Sequence, residues 1–338
     1  MRLLVCGGGG FNGSEFVRQT ITNPPEDTVV VLDKLTYAGN VRNLDPVAGN
    51  ERLQFVQGDI CDSAVVDGLV KGIDAIVNFA AESHVDRSLE SPGQFIQTDV
   101  YGTYVLLDAA RRAHISRFVQ VSTDEVYGDV AVGTSSEDDP LRPRSPYSAS
   151  KAGGEMMVWA YRESYGLPAI TTRGSNTYGP YQYPEKIIPL FITNAIDDQP
   201  LPIYGDGSAV RDYIHVADHA CGIDTALRHG VPGEDYNVGY GGATNGIEVA
   251  DYVLVALEKP PSLKQHVRDR LGHDRRYAVN SDKLRGLGWQ PLIPLDRGLR
   301  ETVDWYRDNE KWWRPLKSGE FWDFYRRNYK ALQAQANR

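Results

Sequence analysis

The 338-residue sequence predicts a doubly wound α/β fold, in which helices cover both faces of a parallel sheet and a smaller mixed α/β C-terminal domain follows. Three observations predict it. Short, unbroken apolar runs rich in β-branched residues alternate with helical patterns. The first run ends in glycines that open a helix. Past Gly179-Pro180 the texture changes to short strands broken by prolines and glycines.

Arg2–Cys6 is the first strand, and Phe11–Thr20 is the helix that follows the glycines. Thr28–Asp33 (TVVVLD) is a second strand, and Leu53–Gln57, Ala75–Asn78, Arg117–Ser122 and Ala169–Gly174 continue the same sheet. Gly93–Ala113 and Ser145–Tyr165 read as the two longest helices. Phe95, Ile96, Val100, Tyr101, Val105, Leu106 and Leu107 form a stripe wider than one core contact needs. The pair of helices can pack on its own copy in a homodimer or be buried on the sheet alone. In the second half, Gln199–Gly207 and Gly230–Gly242 read as short strands of the smaller domain. The aromatic, basic tail Phe321–Arg338 reads as a packed terminal helix. The expected division is 1–179 for the Rossmann-like nucleotide domain and 180–338 mainly for a substrate domain, with room for the chain to cross between lobes.

Composition narrows the function. At 41% hydrophobic and 24% charged residues the chain is an ordinary globular protein, and its formal charge of −9 argues against nucleic acid as a partner. No apolar run approaches the length of a membrane span, and no leader-like segment precedes the first strand. Cys6, Cys61 and Cys221 are widely spaced and odd in number. They form neither a metal nor a disulfide framework, so a reducing cytoplasm is expected.

Gly7, Gly10 and Gly13 have the spacing of a dinucleotide turn: a tight bend, close approach of backbone to a pyrophosphate, and a helix N-terminus whose amides and dipole favour phosphate. Asp33 ends the second strand 20 residues after Gly13, placed to accept from ribose hydroxyls and to repel a 2′-phosphate. NAD is therefore expected over NADP. Asp59-Ile60 ends the third strand, where an adenine edge or a helix cap can use it.

Tyr147 and Lys151 form Y-x-x-x-K just inside a helix opened by Ser145-Pro146, so both lie on one face. A nearby ammonium is expected to lower the tyrosine pKa, letting the phenol take a proton from a sugar hydroxyl as hydride leaves. The fifth strand ends in Thr123-Asp124-Glu125, and carboxyl ends of strands carry chemistry in open α/β sheets. Thr123 can hydrogen-bond the reacting hydroxyl. Oxidation alone needs neither acid, and two of them suggest elimination, one removing a carbon-bound proton and one protonating a departing hydroxyl. In an extended strand they would point to opposite faces, so a turn is expected before Gly128.

These residues resemble the extended short-chain dehydrogenase/reductase superfamily and, within it, the dTDP-glucose 4,6-dehydratases. The resemblance runs at least from Arg2 to Leu316. It rests on L-D-K-L-T-Y-A-G-N (32–40), A-A-E-S-H-V-D-R-S (80–88), S-T-D-E-V-Y-G (122–128), S-P-Y-S-A-S-K-A (145–152), Y-G-P-Y-Q-Y-P-E-K-I-I-P-L (178–190) and G-H-D-R-R-Y (272–277). It implies NAD-assisted oxidation at C4 of dTDP-glucose with Tyr147 as base, elimination of water across C5 and C6 by Glu125 and Asp124, and return of hydride to C6. Lys151 would contact the nicotinamide ribose. The resemblance puts Phe11, Asn12, Asp33, Lys34, Leu35, Thr36, Asp59, Ile60, Phe79, Ala80, Ala81, Ser83, Thr98 and Thr177 at the cofactor. It puts Ser83, Thr123, Asn176, Lys186, Ile187, Pro202, Ile203, Tyr204, Arg211, Asn245, Arg270 and His273 at the nucleotide sugar. Arg211 and Arg270 suit a diphosphate through paired donors, and Tyr204 suits either a base or the core.

The sequence also departs from the family pattern. Asn12 replaces an apolar residue, Asp99 stands where asparagine is usual, Thr177 replaces an asparagine expected near the cofactor, and Leu271 replaces a proline. These changes imply altered cofactor affinity or substrate tolerance and remove no catalytic group. A 4-epimerase or decarboxylase on the same scaffold would need only Thr123, Tyr147 and Lys151. A UDP-glucose 4,6-dehydratase would differ by one methyl in the base, worth about 1 kcal/mol in an apolar pocket. A non-catalytic NAD sensor would not require the two acids.

Overall fold

The computed structural model describes residues 1–269 and 272–330. Its strands are Arg2–Cys6 (β1), Thr28–Asp33 (β2), Leu53–Gln57 (β3), Ala75–Asn78 (β4), Arg117–Thr123 (β5), Ala169–Gly174 (β6), Asn176–Tyr178 (β7), Leu201–Tyr204 (β8), Val210–Arg211 (β9), Tyr213–His215 (β10), Asp235–Val238 (β11), Thr244–Asn245 (β12) and Lys264–Val267 (β13). Seven of them form one sheet in the order β11-β6-β5-β4-β1-β2-β3, every pair parallel. The order reverses between β1 and β4, which opens a crevice above the carboxyl ends of the strands.

The unbroken apolar runs follow from burial on both faces. Leu3, Val5, Val29, Val31 and Val119 point to one side, where they meet Phe16 and Val17 of helix Phe11–Thr22 and Ile223, Ala226 and Leu227 of helix Val216–His229. The alternate residues Leu4, Val30, Ile76 and Phe118 meet Leu106, Leu107 and Ala110 of helix Thr103–Arg112 and Val158 of helix Pro146–Tyr165. The helix expected over 93–113 runs as Pro92–Phe95, a π-helical stretch Ile96–Gly102, and Thr103–Arg112. A third core holds the second lobe, with Phe191, Val253, Val303, Tyr306 and Trp313 at its centre.

The structure corrects one boundary. Gly230–Gly242, read as part of the smaller domain, carries β11, which pairs with β6 at the edge of the main sheet. Helix Val216–His229, Tyr236, Val238, Leu284 and Trp289 all join the first core. The apolar faces of that helix and strand are buried only by returning to the sheet, so the division at 179/180 is crossed. The terminal segment is helical over Glu320–Tyr325 and Arg326–Lys330, and the rest of the expected tail helix lies outside the described residues. Among the described residues no helix is long and apolar enough to cross a membrane, and no His/Cys/Asp/Glu cluster could hold a metal ion.

Candidate active site

A cavity of about 280 Å³ lies over the reversal point. Its floor is the glycine turn. Gly7 has φ +75°, and a Cβ there would sit 2.5 Å from the Ala80 amide nitrogen. A Cβ on Gly13 would sit 2.3 Å from the Gly7 carbonyl oxygen, so the helix could not approach the strand. Helix Phe11–Thr22 starts at Gly10 with no side-chain cap, which leaves its first amides facing the cavity. Asn43 Nδ2 donates to the Gly9 carbonyl at 2.9 Å, while Arg18 Nη1 donates to the Asn43 carbonyl at 2.5 Å, and together they hold the turn in place.

Asp33 Oδ2 accepts from the Gly9 amide and Oδ1 from the Leu35 amide, both at 2.8 Å. Burial raises its pKa against the pull of these amides. Asp59 accepts from Lys34 Nζ at 2.7 Å and from the Cys61 amide at 2.9 Å, whereas Asp62 caps the next helix. Asp59 is therefore not the cap of that helix, and it lines the cavity. Bare phosphate-facing amides, glycines that admit no Cβ and a carboxylate at the ribose end fit a dinucleotide.

The catalytic candidates meet at the other end of this cavity. Ser145 and Ser148 form a capping box and Pro146 occupies the first helical turn, so Tyr147 and Lys151 project from one face into the cavity. After β5 the chain turns at once into a 3₁₀ helix, Asp124–Tyr127. Gly128, at φ +75°, ends it where a Cβ would sit 2.3 Å from the Arg142 carbonyl oxygen. This is the expected turn. It sends the Glu125 side chain into the cavity, whereas Asp124 is 2% exposed and lines neither this cavity nor the second one described below. Thr123 Oγ1 donates to Asp124 Oδ1 at 3.3 Å, and Asp124 Oδ2 has no hydrogen-bond partner among the described residues. Burial, with Glu125 and Asp212 nearby, drives the Asp124 pKa well up, which favours its protonated form.

Tyr147 departs from expectation. Its pKa is pushed well up, first by burial and then by Glu125 and Asp99; the Thr123 hydroxyl opposes this. The Lys151 ammonium turns to the strand and donates to the Val121 carbonyl at 2.8 Å. Burial in turn lowers the Lys151 pKa against the pull of Asp99 and Glu155. Asp99, 2% exposed, accepts from Ser150 Oγ at 2.6 Å and from the Glu82 amide at 3.2 Å, and desolvation raises its pKa to about 6.

A second cavity, about 160 Å³, shares Glu125, Asn176, Lys186 and Val85 with the first. Arg211, His273, Ile187, Pro202, Ile203 and Tyr204, the residues expected at the nucleotide sugar, line it. Arg211 Nη2 lies 3.0 Å from His273 Nε2, and His273 Nδ1 lies 2.6 Å from Asp269 Oδ1. Asn176 Oδ1 is buried with no partner among the described residues.

Of the other expected cofactor residues, Asn12, Thr36, Ile60, Phe79, Ala80, Ala81, Ser83, Thr98 and Thr177 all line the first cavity. Leu35 does not. It takes a left-handed conformation (φ +56°) and offers its amide to Asp33. Asn245 lines neither cavity, since its Oδ1 caps helix Gly246–Ala256 by accepting from the Ile247 and Glu248 amides. Arg270, expected at the diphosphate, and Leu271 lie outside the described residues. Sequence reasoning missed His219, Gln182 and Tyr183 in the first cavity and His84, Tyr277 and Tyr329 in the second. His219 is 2% exposed and burial lowers its pKa to about 4, so it is a neutral imidazole. No local pattern marks it, because only the return of helix Val216–His229 to the sheet brings it to the cleft.

A family model described as GDP-mannose 4,6 dehydratase matches residues 4–302. A dTDP-glucose 4,6-dehydratase of Streptomyces niveus is 50% identical over 323 residues, which cover 94% of this chain and 96% of that one. Among solved structures, a dTDP-glucose 4,6-dehydratase from Streptomyces venezuelae with NAD and TYD bound superimposes with a TM-score of 0.92 at 49% identity, covering 94% of this chain and all of that one. A UDP-glucose 4-epimerase from Thermus thermophilus in complex with NAD is more distant. Its TM-score is 0.84 at 32% identity, covering 91% of this chain and all of the other.

Proposed function

Because the chain belongs to the dTDP-glucose 4,6-dehydratase family, we propose that it converts dTDP-glucose to dTDP-4-keto-6-deoxyglucose with NAD and that the residues around Tyr147 carry the reaction. One observation supports this reading above the others: two carboxyl groups, Asp124 and Glu125, follow Thr123 at the carboxyl end of β5 beside Tyr147. A 4-epimerase needs neither, so the epimerase and decarboxylase alternatives are not favoured.

NAD⁺, when bound, supplies a hydride acceptor for C4 and later a hydride donor for C6, together with a positive ring charge. Tyr147 takes the O4 proton, with Thr123 holding that hydroxyl. The resulting ketone acidifies the C5 proton, and Glu125 removes it. Asp124, whose pKa burial and two nearby carboxylates raise, gives a proton to the C6 hydroxyl, so water leaves. A proton then returns to C5. Lys151 holds the nicotinamide ribose, Asp33 the adenosine ribose hydroxyls, and the amides after Gly10 the pyrophosphate. Arg211 and His273 hold the diphosphate of the sugar nucleotide. The dTDP assignment over UDP follows the relatives.

The protein acts as a homodimer in the cytoplasm in this reading. Ile96, Tyr101 and Tyr104 on one helix and Met156, Trp159 and Tyr165 on the next are exposed large hydrophobics, a face that a second copy would cover. The three free cysteines fit a reducing compartment. Mass spectrometry of products from dTDP-glucose and UDP-glucose side by side tests the function. The expected result is loss of one water from dTDP-glucose to give a 4-keto-6-deoxy sugar. Isomerisation to dTDP-galactose without water loss would contradict it.

A further inference from the structure

His219 stands in the cofactor cleft without a part in the steps assigned to Tyr147, Glu125 and Asp124. It lies in the first turn of helix Val216–His229, 2% exposed, and its Nδ1 is buried with no hydrogen-bond partner among the described residues. Polar atoms taken out of water normally find a partner, and leaving one unpaired costs stability. Burial lowers the pKa to about 4, so the ring is neutral, with one N–H to give and one lone pair to fill.

The turn that carries it is fixed on several sides. His215 Nδ1 caps the helix by accepting from the Ala217 amide at 3.3 Å. The Ala217 carbonyl accepts from Gln19 Nε2 at 3.1 Å, which ties the turn to helix Phe11–Thr22. The Asp218 carbonyl accepts from Trp289 Nε1 at 3.1 Å, and Asp218 Oδ2 accepts from the Ile293 amide at 2.8 Å. The imidazole lies against Gly174, the last residue of β6. A Cβ on Gly174 would sit 2.5 Å from His219 Nε2 and 3.0 Å from Cδ2, closer than such atoms approach. The bare glycine therefore makes room for the ring, and both residues line the cavity.

Strand register places this opening. Gly174 pairs with Thr123 of β5, so His219 belongs to the catalytic end of the cavity, with Tyr147 and Lys151. Asp33 and Asp59 lie at the end of the cleft over β2 and β3, on the other side of the reversal point, and suit the adenosine half. The catalytic end is thus the place for the nicotinamide half. Apart from its ribose, the polar part of that half is an uncharged carboxamide, which both donates and accepts. A neutral imidazole can serve either role and sets no second positive charge beside a cationic ring. Asn12 Oδ1, on the helix that Gln19 ties to this turn, is another buried atom without a partner among the described residues, and Asn12 lines the same cavity. We propose that His219 is a cofactor-binding residue that holds the nicotinamide carboxamide through the opening left by Gly174. The inference rests on the NAD part of the preceding reading and deepens it.

The test is competition on the NAD-loaded, full-length enzyme. Isotopically labelled bound NAD is displaced either by unlabelled NAD or by ADP-ribose, which keeps the adenine, both riboses and the pyrophosphate and lacks only the nicotinamide. The ADP-ribose concentration that halves the bound label, divided by the NAD concentration that does so, reports what the nicotinamide half adds to binding. His219→Leu is expected to lower that ratio about tenfold, through loss of one buried hydrogen bond. His219→Gln, which keeps a donor and an acceptor, should stay within about threefold of the wild type. An unchanged ratio in His219→Leu would overturn the proposal, since any loss of affinity would then be shared by ADP-ribose and act through the fold. So would an equal fall in His219→Gln, because the volume of the ring and not its hydrogen bond would then matter. If the wild type holds NAD but does not dehydrate dTDP-glucose, the proposed function fails, and the displacement ratio still decides the role of His219.

Discussion

Asp99 is a carboxylate in a place that disfavours charge. It is 2% exposed and has two hydrogen-bond donors, the Ser150 hydroxyl and the Glu82 amide, with Lys151 acting on it through space. Desolvation outweighs all three and lifts its pKa from 3.8 to about 6. The folded protein therefore holds this proton more tightly than the unfolded chain does. The stabilisation from that proton is complete below pH 3.8 and is lost as pH rises through about 6. The gap corresponds to roughly 3 kcal/mol. Asp99→Asn keeps the neutral shape at every pH. The wild type should therefore lose about 2 kcal/mol relative to the variant between about pH 4.5 and pH 7.5. Paired urea titrations of the NAD-loaded proteins across that range measure the difference, since every other titrating group is common to both. A difference that stays flat with pH, or that favours the wild type as pH rises, would refute the reasoning.

Other changes act on the site directly. Tyr147→Phe should lower kcat by about 10²–10⁴-fold while dTDP affinity is kept, and near-normal turnover would remove Tyr147 as the base. Glu125→Gln should oxidise C4 and then stall, so that stopped-flow absorbance shows a reduced nicotinamide that persists; prompt formation of the 4-keto-6-deoxy product would assign the C5 proton elsewhere. Gly13→Ala pushes a methyl to 2.3 Å from the Gly7 carbonyl oxygen. The purified variant should carry little NAD, and full NAD content measured after denaturation would contradict the close-approach argument.

Much of this molecule could be read locally. The runs LLVC, TVVVLD and RFVQVS are continuous because both faces of a parallel sheet are buried. Gly7, Gly10 and Gly13, the Ser145-Pro146 start of a helix and the turn after Thr123 are each set by a few adjacent residues, and each lies where its spacing put it. What was not legible depends on contacts distant in sequence. β11 looks like any short strand until Tyr236 and Val238 find the first core. His219 reaches the cofactor cleft only because its helix packs back on the sheet. Tyr329 belongs to a run of aromatics whose other members are buried, and nothing local marks the one that faces a cavity. The direction of the Tyr147 pKa shift was also hidden. Spacing sets the shared face of Tyr147 and Lys151, whereas burial shifts their pKa values in opposite directions.

In the proposed reaction, hydrogen taken from C4 comes to rest on C6 of the same sugar. Turnover of dTDP-glucose carrying deuterium at C4, followed by NMR of the product, follows that atom. Deuterium is expected in the new methyl group, and a methyl group free of label, with deuterium lost to solvent or left at C4, would contradict this transfer.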